Sequence, residues 1–542
     1  MMSRNYPVTS QIFAQLREGD AVYVDKTQFL VPLLSQEFNA AFFLSRPRRF
    51  GKSMIISTLE AALSGQKELF KGLYLYDKID WIKYPVIRFS MDKLGNFGEG
   101  FKNALFFMVS QCADKHQIVL KSNDYAPAFA ELIEKIYDKY QQRVVILIDE
   151  YDKPIIQGLE GDNVSLAETN RDILKPFYGV LKPSGDFLRF TFITGVSRIA
   201  KVSIFSDLNH LSDITLNEAF STICGFTEAE IRQYCRSGLE ELAQKEGVSV
   251  DAIMAKIRYW YNGFSWDGIN FVYNPYSTMH LMQYQQFDNY WVATGTPTFL
   301  TKMLRLHTNF KMKSTKVHKM AYNLHDFRKW SVVSMMLQTG YLTFKEPLGD
   351  DFFMVYYPNK EVEESFTAHL LGEYADKDPS EARVTASDVR EAFLQNKPEQ
   401  VIAIMTDLFK TLPQPFFFEN VETVDKAGNT KIVRKSVTEN FYHAIIYLIF
   451  NILSVRMNAE ILSSEGRIDA VVETDSHIYI FEFKKGKHAQ EAIDQMIQKG
   501  YPDLYRLSKK QIVLMGVGFT AQKRGVSDFK IMPYLPVSAW TN

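Results

Sequence analysis

The sequence predicts an α/β protein built on a parallel sheet with an anion-binding turn, followed by helical regions and a smaller C-terminal α/β domain. Three observations predict it. The stretch "NAAFFLSRPRRFGKSMIISTLEAALSG" (39–65) reads as strand, glycine-lysine-serine turn and helix, with Gly65 as the stop. The stretch "RVVILIDEYDKP" (143–154) is an unbroken aliphatic run ending in two carboxylates, as expected of a strand buried on both faces. In "HIYIFEFKKG" (477–486), period two sets Ile478, Ile480, Glu482 and Lys484 on one face of a strand.

Taking the turn first, Gly51, Lys52 and Ser53 fill the last three positions of G-x-x-x-x-G-K-[ST], the P-loop pattern, while Arg46 stands where its first glycine belongs. Backbone N–H groups at the helix N-terminus surround phosphates, Lys52 reaches their outer oxygens, and Ser53 holds Mg2+. The missing glycine constrains the loop entrance but removes no ligand. The strand after Arg143 brings Asp149 and Glu150 to the edge where open α/β sheets bind ligands. There Asp149 would order the Mg2+ shell and Glu150 would polarise the attacking water. A third strand, "FLRFTFITGVSR" (187–198), ends in Thr194, Ser197 and Arg198, polar groups placed to hold that water. Together these predict an ATPase core over 1–215, with ATP and Mg2+ as cofactors.

At 542 residues the chain exceeds one core, and about three or four domains are expected. Its 46% apolar and 23% charged residues are ordinary for a folded protein, and 41 Phe and 28 Tyr supply large core side chains. A net charge of −1 confines any basic surface to local patches. Cys112, Cys224 and Cys235 have no metal-ligand spacing, which fits a reducing compartment without a disulfide frame. No apolar signal core opens the chain, and its longest apolar run, "AIIYLIFNIL" (444–453), is too short for a bilayer span. The expectation is a cytoplasmic chain without a membrane partner.

Several blocks resemble the prokaryotic AAA-ATPase-like family: "YVDKTQFL" (23–30), "RPRRFGKS" (46–53), "LIDEYDKPI" (147–155) and "ITGVSRIAKVSIFSDLNHLSDIT" (193–215). So do "WYNGFSW" (260–266), "VYNPYS" (272–277) and "YWVATGTPTFL" (290–300). The resemblance implies an AAA-related fold and nucleotide roles for Gly51, Lys52, Ser53, Asp149 and Glu150. It gives Thr194 and Arg198 sensor roles, and an arginine-rich loop entrance is usual in the family. Arg46, Arg48 and Arg49 are then phosphate contacts, contacts between subunits of a homo-oligomer, or a solvated basic turn. The "VDKT" segment either lines the nucleotide or braces the N-terminus.

From 216 to 300 a helical lid is expected. In "TEAEIRQYCRSGLEELAQKEG" (227–247), read as one amphipathic helix, Thr227 and Glu230 form a capping box. A mostly helical linker follows over 301–430. Between Lys302 and Lys329 there are eight Lys or Arg against one acidic residue, with Phe310, Tyr322 and Phe327 interspersed. Such a stretch contacts nucleic acid or is simply a solvated face. His307, His318 and His325 lie in it without a metal-binding pattern. The stretch "YADKDPSEARVTASDVREAF" (374–393) reads as a loop, then a helix capped near Thr385 or Ser387.

Residues 431–542 carry the second chemical signal. "ENFYHAIIYLIFNILS" (439–454) reads as a core helix, followed by Glu460, "GRIDAVVE" (466–473) and "AIDQMIQKGYPDLY" (492–505). Asp469, thirteen residues before Glu482 at a hairpin-compatible distance, makes a carboxylate pair able to bind Mg2+, while Lys484 steadies the attacking hydroxide or developing phosphate charge. This segment resembles the PD-(D/E)XK nuclease superfamily. The resemblance implies a restriction-endonuclease-like fold, core roles for Asp469, Glu482 and Lys484, and Mg2+ or Mn2+ as the ion. Glu460 becomes a helix-borne extra carboxylate, and Gln495 and Tyr501 position DNA or the metal's surroundings. Ile468 replaces the usual proline, with the carboxylate kept.

The expected function is ATP hydrolysis coupled to a metal-dependent nuclease acting on nucleic acid, DNA before RNA. The competing reading is a regulatory ATP-binding switch whose nuclease-like domain binds nucleic acid or a partner without cutting.

Overall fold

The computed structural model describes residues 5–8, 10–36, 39–94, 100–160, 164–198, 204–205, 208–291, 315–322, 331–375, 379–411, 418–424, 430–436, 456–463, 466–486, 488–520 and 525–534. They divide into two compact units, one within Met1–Leu300 and Lys311–Val362, the other reaching from Glu363 to the C-terminus. The expected helix over 439–454 and most of the basic stretch 302–329 lie outside the described residues.

The first unit is an α/β layer structure. Its five-stranded sheet is parallel throughout, in the order β2 (Val86–Ser90), β3 (Val144–Asp149), β4 (Leu188–Gly195), β1 (Ala40–Ser45), β5 (Leu211–Asp213). β1 and β3 are buried at every residue, which is why they read as unbroken aliphatic and aromatic runs. The registers Ser45↔Gly195 and Ser90↔Asp149 bring the carboxyl ends of β1 to β4 to one edge. The chain order reverses around β1, and such a switch point is where an open sheet binds ligands.

Helix α1 (Lys52–Leu63) starts directly from that edge. Gly51 precedes it at φ +91°, a left-handed conformation that a side chain would strain. The helical region after the sheet opens with α2 (Glu228–Tyr234), whose Thr227–Glu230 capping box is present. The single helix expected over 227–247 is instead two, because the chain bends at Cys235 before α3 (Arg236–Glu246). The bend lets Ile231, Leu239 and Leu242 enter one buried cluster with Ile253 and Ile257 of α4 (Val250–Tyr261) and Met279 and Leu281 of α5 (Pro275–Tyr284).

The mostly helical linker expected from 301 holds β structure: β6 (Thr315–His318), β7 (Thr343–Gly349) and β8 (Phe352–Tyr356) form an antiparallel sheet in the order β6-β8-β7. It belongs to the first unit, and the reason is close packing. A Cβ on Gly340 would meet Pro47 at 2.8 Å, and one on Gly263 would meet the Pro358 carbonyl at 2.1 Å.

In the second unit α6 (Pro379–Leu394) begins earlier than the expected cap at Thr385 or Ser387. Proline's fixed φ suits a helix start, and the Thr385 hydroxyl donates to the Glu381 carbonyl inside the helix (3.1 Å). After α7 (Pro398–Thr411) and the hairpin β9 (Phe418–Val424) and β10 (Thr430–Ser436), a mixed sheet runs in the order β11 (Arg456–Ser463), β12 (Gly466–Glu473), β13 (His477–Lys485), β14 (Gln511–Thr520), β15 (Gly525–Tyr534). β13 and β14 are parallel, joined through α8 (Ala489–Gln498); the other pairs are antiparallel. Ile478 and Ile480 face Ile493 and Met496 of α8, whereas Tyr479 on the opposite face packs on Phe393 of α6. Gly516 permits this approach, since a Cβ there would lie 2.4 Å from the Ala489 carbonyl.

Candidate functional site

The first site lies at the carboxyl edge of the parallel sheet, around a cavity of about 460 Å³. Arg48, Arg49, Gly51, Lys52 and Ser53 line it from the loop, and Glu150 lines it from the end of β3. Lys52 is buried and donates to the Pro47 carbonyl (3.0 Å), so its ammonium sits inside the curve of the loop. Asp149, which precedes Glu150 in the chain, is buried and does not itself line the cavity; its Oδ1 accepts the Glu150 amide (3.0 Å). Burial raises the Glu150 pKa; the Lys52 charge opposes that rise, and Asp149, Asp152 and Asp92 add to it.

Three more charged residues line the cavity: Asp92 and Lys153, which the sequence does not single out, and Lys26 of the "VDKT" segment. Asp92 follows β2, the neighbour of β3, and takes a hydrogen bond from Ser90. Lys26 of "VDKT" both lines the cavity and braces the fold, donating to the Thr222 carbonyl and Glu230 Oε2 (2.8 Å each). Tyr276 lines the cavity from α5 and stacks with Arg49, whose guanidinium lies 4.2 Å from the ring centroid.

The remaining residues expected at this site sit elsewhere. Thr194 donates to the Leu44 carbonyl (2.8 Å) between β1 and β4, and Arg198 is paired with Asp213; neither lines the cavity. The strand tip instead serves Asp152, a buried carboxylate that receives the Ser197 amide and hydroxyl (2.6 Å each). Arg46, expected as a phosphate contact, a subunit contact or part of a solvated basic turn, is fully buried. It donates to the Ser45, Thr215 and Phe220 carbonyls (2.8–3.1 Å) and lies 3.9 Å from the Trp266 ring centroid. A guanidinium thus satisfies three backbone carbonyls where the usual pattern has a glycine.

The second site forms on the α8 face of the mixed sheet. Ala470 pairs with Phe481, so Asp469 and Glu482 stand opposite each other in the β12–β13 ladder. Asp469 Oδ2 accepts the Phe483 amide (2.9 Å). Glu482, only 2% exposed, receives Lys484 Nζ (2.7 Å) and the Gln495 side-chain amide on Oε1. Among the described residues its Oε2 is buried without a hydrogen-bond partner. Burial first, then the Asp469 charge, pushes its pKa up to about 7.

Two carboxylates with an unpartnered buried oxygen fit a divalent cation, which would relieve their repulsion. No group of three His, Cys, Asp or Glu side chains able to hold a metal occurs among the described residues. A pair is nonetheless the usual protein share for Mg2+, which takes its other ligands from water and phosphate. Glu460 lies on β11 rather than on a helix. It falls between the Ala459↔Ala470 and Ile461↔Ile468 pairs and so stands beside Asp469 in the sheet. Tyr501 is part of the buried core under α8 rather than at the carboxylates. No helix among the described residues is long and apolar enough to cross a membrane.

Comparison with known proteins agrees with both halves. Residues 7–205 match the family described as predicted AAA-ATPase, and residues 437–529 match the PD-(D/E)XK nuclease superfamily. A protein of Azotobacter chroococcum mcd 1, described as an uncharacterized protein in the vnfD 5' region, is 34% identical over 552 residues, covering 98% of this chain and 99% of that one. The parallel sheet with its glycine-lysine-serine turn, the mixed sheet with its carboxylate pair and this full-length similarity converge: the chain belongs to the AAA-ATPase-like family and carries a PD-(D/E)XK nuclease superfamily domain at its C-terminus.

Proposed function

We propose that the chain binds and hydrolyses ATP and also cuts nucleic acid, DNA before RNA, by Mg2+-dependent phosphodiester hydrolysis. The observation that carries the cutting activity is Glu482: a buried carboxylate facing Asp469, bridged to Lys484 and Gln495, with one oxygen left over. Asp469 and Glu482 would hold the ion, which supplies positive charge to polarise the phosphoryl oxygen. Gln495 fixes the Glu482 carboxylate, and Lys484 stands ready to donate to a phosphate oxygen as its charge grows. Water's oxygen forms a bond to phosphorus while giving a proton to solvent, the ester bond to the leaving sugar oxygen breaks, and that oxygen takes up a proton from solvent.

At the first site Lys52 reaches the outer phosphates, and Ser53 and Asp149 are the groups to hold Mg2+. Glu150 accepts the proton of the attacking water, and its raised pKa is the direction a general base needs. Arg48 and Arg49, lining the cavity, supply further positive charge to the nucleotide.

The test separates the two activities in the full chain. Single- and double-stranded DNA and RNA oligonucleotides are incubated with Mg2+ and ATP, and both strand breaks and phosphate release are measured. Glu482→Ala is expected to lose cleavage and keep ATP turnover, and Lys52→Ala to lose ATP turnover. Cleavage that survives Glu482→Ala overturns the assignment.

A further inference from the structure

Gln495 and Lys499 stand four residues apart at the end of α8, with Lys499 as its C-terminal cap. Residues i and i+4 share a helix face. The face that sets Gln495 against Glu482 therefore carries Lys499 one turn further on. The Lys499 ammonium lies 5.9 Å from the Tyr501 ring centroid, and its charge acts on the Glu482 carboxylate. Among the described residues the half-buried Lys499 side chain has no hydrogen bond and no ion pair. Lys484, by contrast, is engaged with Glu482 at 2.7 Å.

We propose that Lys499 is a phosphate-binding residue of the nuclease site, contacting the nucleic-acid backbone beside the phosphate that is cut. The inference rests on the nuclease reading above. An ammonium one helical turn beyond Gln495, on the face that meets the carboxylate pair, is placed to take a backbone phosphate. Covering Tyr501 does not explain it, because 5.9 Å is at the far limit of a cation–ring attraction. Sequence patterning alone cannot single it out, since a lysine at a helix C-terminus is also an ordinary dipole partner.

The experiment measures binding of labelled duplex and single-stranded oligonucleotides to the full chain, in Ca2+ and without divalent ions, from low to moderate salt. One phosphate contact contributes a slope of about 0.9 in log K against log salt for duplex, and about 0.7 for single strands. Lys499→Ala is expected to lower the slope by that amount and Lys499→Arg to restore it, with Mn2+ affinity and melting temperature unchanged. Lys499→Gln, which keeps most of the side chain but not its charge, repeats the test if the alanine variant folds poorly. An unchanged slope in a parent that binds and cuts overturns the inference and leaves the nuclease reading intact. A parent that neither binds nor cuts overturns both.

Discussion

Lys484 Nζ lies 2.7 Å from Glu482 Oε1, two residues along one strand, and closes a charge pair whose carboxylate is almost wholly buried. The period of the strand puts both side chains on the α8 face, and Asp469 stands across the ladder from Glu482. The carboxylate pair is thus set by a strand pairing rather than by a loop.

The lysine and the carboxylates have separable roles. Lys484→Ala should abolish cleavage while Mn2+ still binds, because an ammonium stabilises charge but coordinates nothing. Calorimetric titration with Mn2+ checks this: loss of binding in Lys484→Ala would make the lysine part of the metal site's scaffold. Loss of one charged hydrogen-bond partner should also cost roughly 1.5–3 kcal/mol in stability.

At the nucleotide cavity, Lys52→Ala should weaken ATP binding by roughly 10- to 100-fold, the worth of one charged hydrogen-bond donor. Glu150→Gln should keep binding while turnover falls by about 10²- to 10⁴-fold, since only proton acceptance is lost. Equilibrium nucleotide binding and phosphate release, measured side by side, separate the two. Unaltered hydrolysis in both variants would place ATP chemistry elsewhere.

Arg46 and Arg49 should behave as opposites despite lying three residues apart. Arg46→Met leaves the Ser45, Thr215 and Phe220 carbonyls without their donor and should destabilise the first unit by at least ~3 kcal/mol. Arg49→Ala should leave melting unaffected and raise the ATP concentration for half-maximal turnover. Thermal melts and ATP titrations of both variants check the contrast; an Arg46→Met protein that melts like the parent contradicts it.

Much of this was legible in the sequence, and the omissions have physical causes. Strands β1 and β3 announce themselves because burial on both faces demands apolar runs, and their charged ends follow from the parallel edge. Asp469, Glu482 and Lys484 are readable because hairpin distance and period two suffice to bring them together. Arg46 was not: only the fold reveals three inward-facing carbonyls waiting for a guanidinium. Thr194 sits on a strand tip as expected, but its hydroxyl turns to Leu44 instead of the cavity. The bend at Cys235 and the start of α6 at Pro379 are tertiary choices that amphipathic spacing does not resolve. Asp92 is not legible because the strand it follows, β2, is short and partly exposed, with no apolar run to mark it.

Glu361, which does not line the nucleotide cavity, gives a pH dependence of stability. It is fully buried, accepts the Trp291 amide (2.7 Å) and the Ser277 hydroxyl (2.9–3.0 Å), and burial pushes its pKa from 4.5 up to about 8. The Trp291 indole in turn donates to the Arg48 carbonyl of the phosphate loop (2.9 Å). Between those two pH values the folded chain keeps a proton that the unfolded chain has lost, so stability falls as pH rises. The slope is up to ~1.4 kcal/mol per pH unit. Glu361→Gln should flatten that fall, gaining on the parent from pH 5 to pH 8. Melting curves that stay parallel across this range would rule out a protonated Glu361.

The central claim is that Asp469 and Glu482 together make a metal-dependent phosphodiesterase. Its most direct measurement is cleavage of end-labelled DNA by the full chain with Mg2+, with Mn2+ and with chelator, for the parent, Asp469→Asn and Glu482→Gln. The predicted result is metal-dependent cutting by the parent, none in chelator, and a loss in both variants while ATP hydrolysis continues. Cutting that persists in both variants, or that proceeds without a divalent ion, would contradict it.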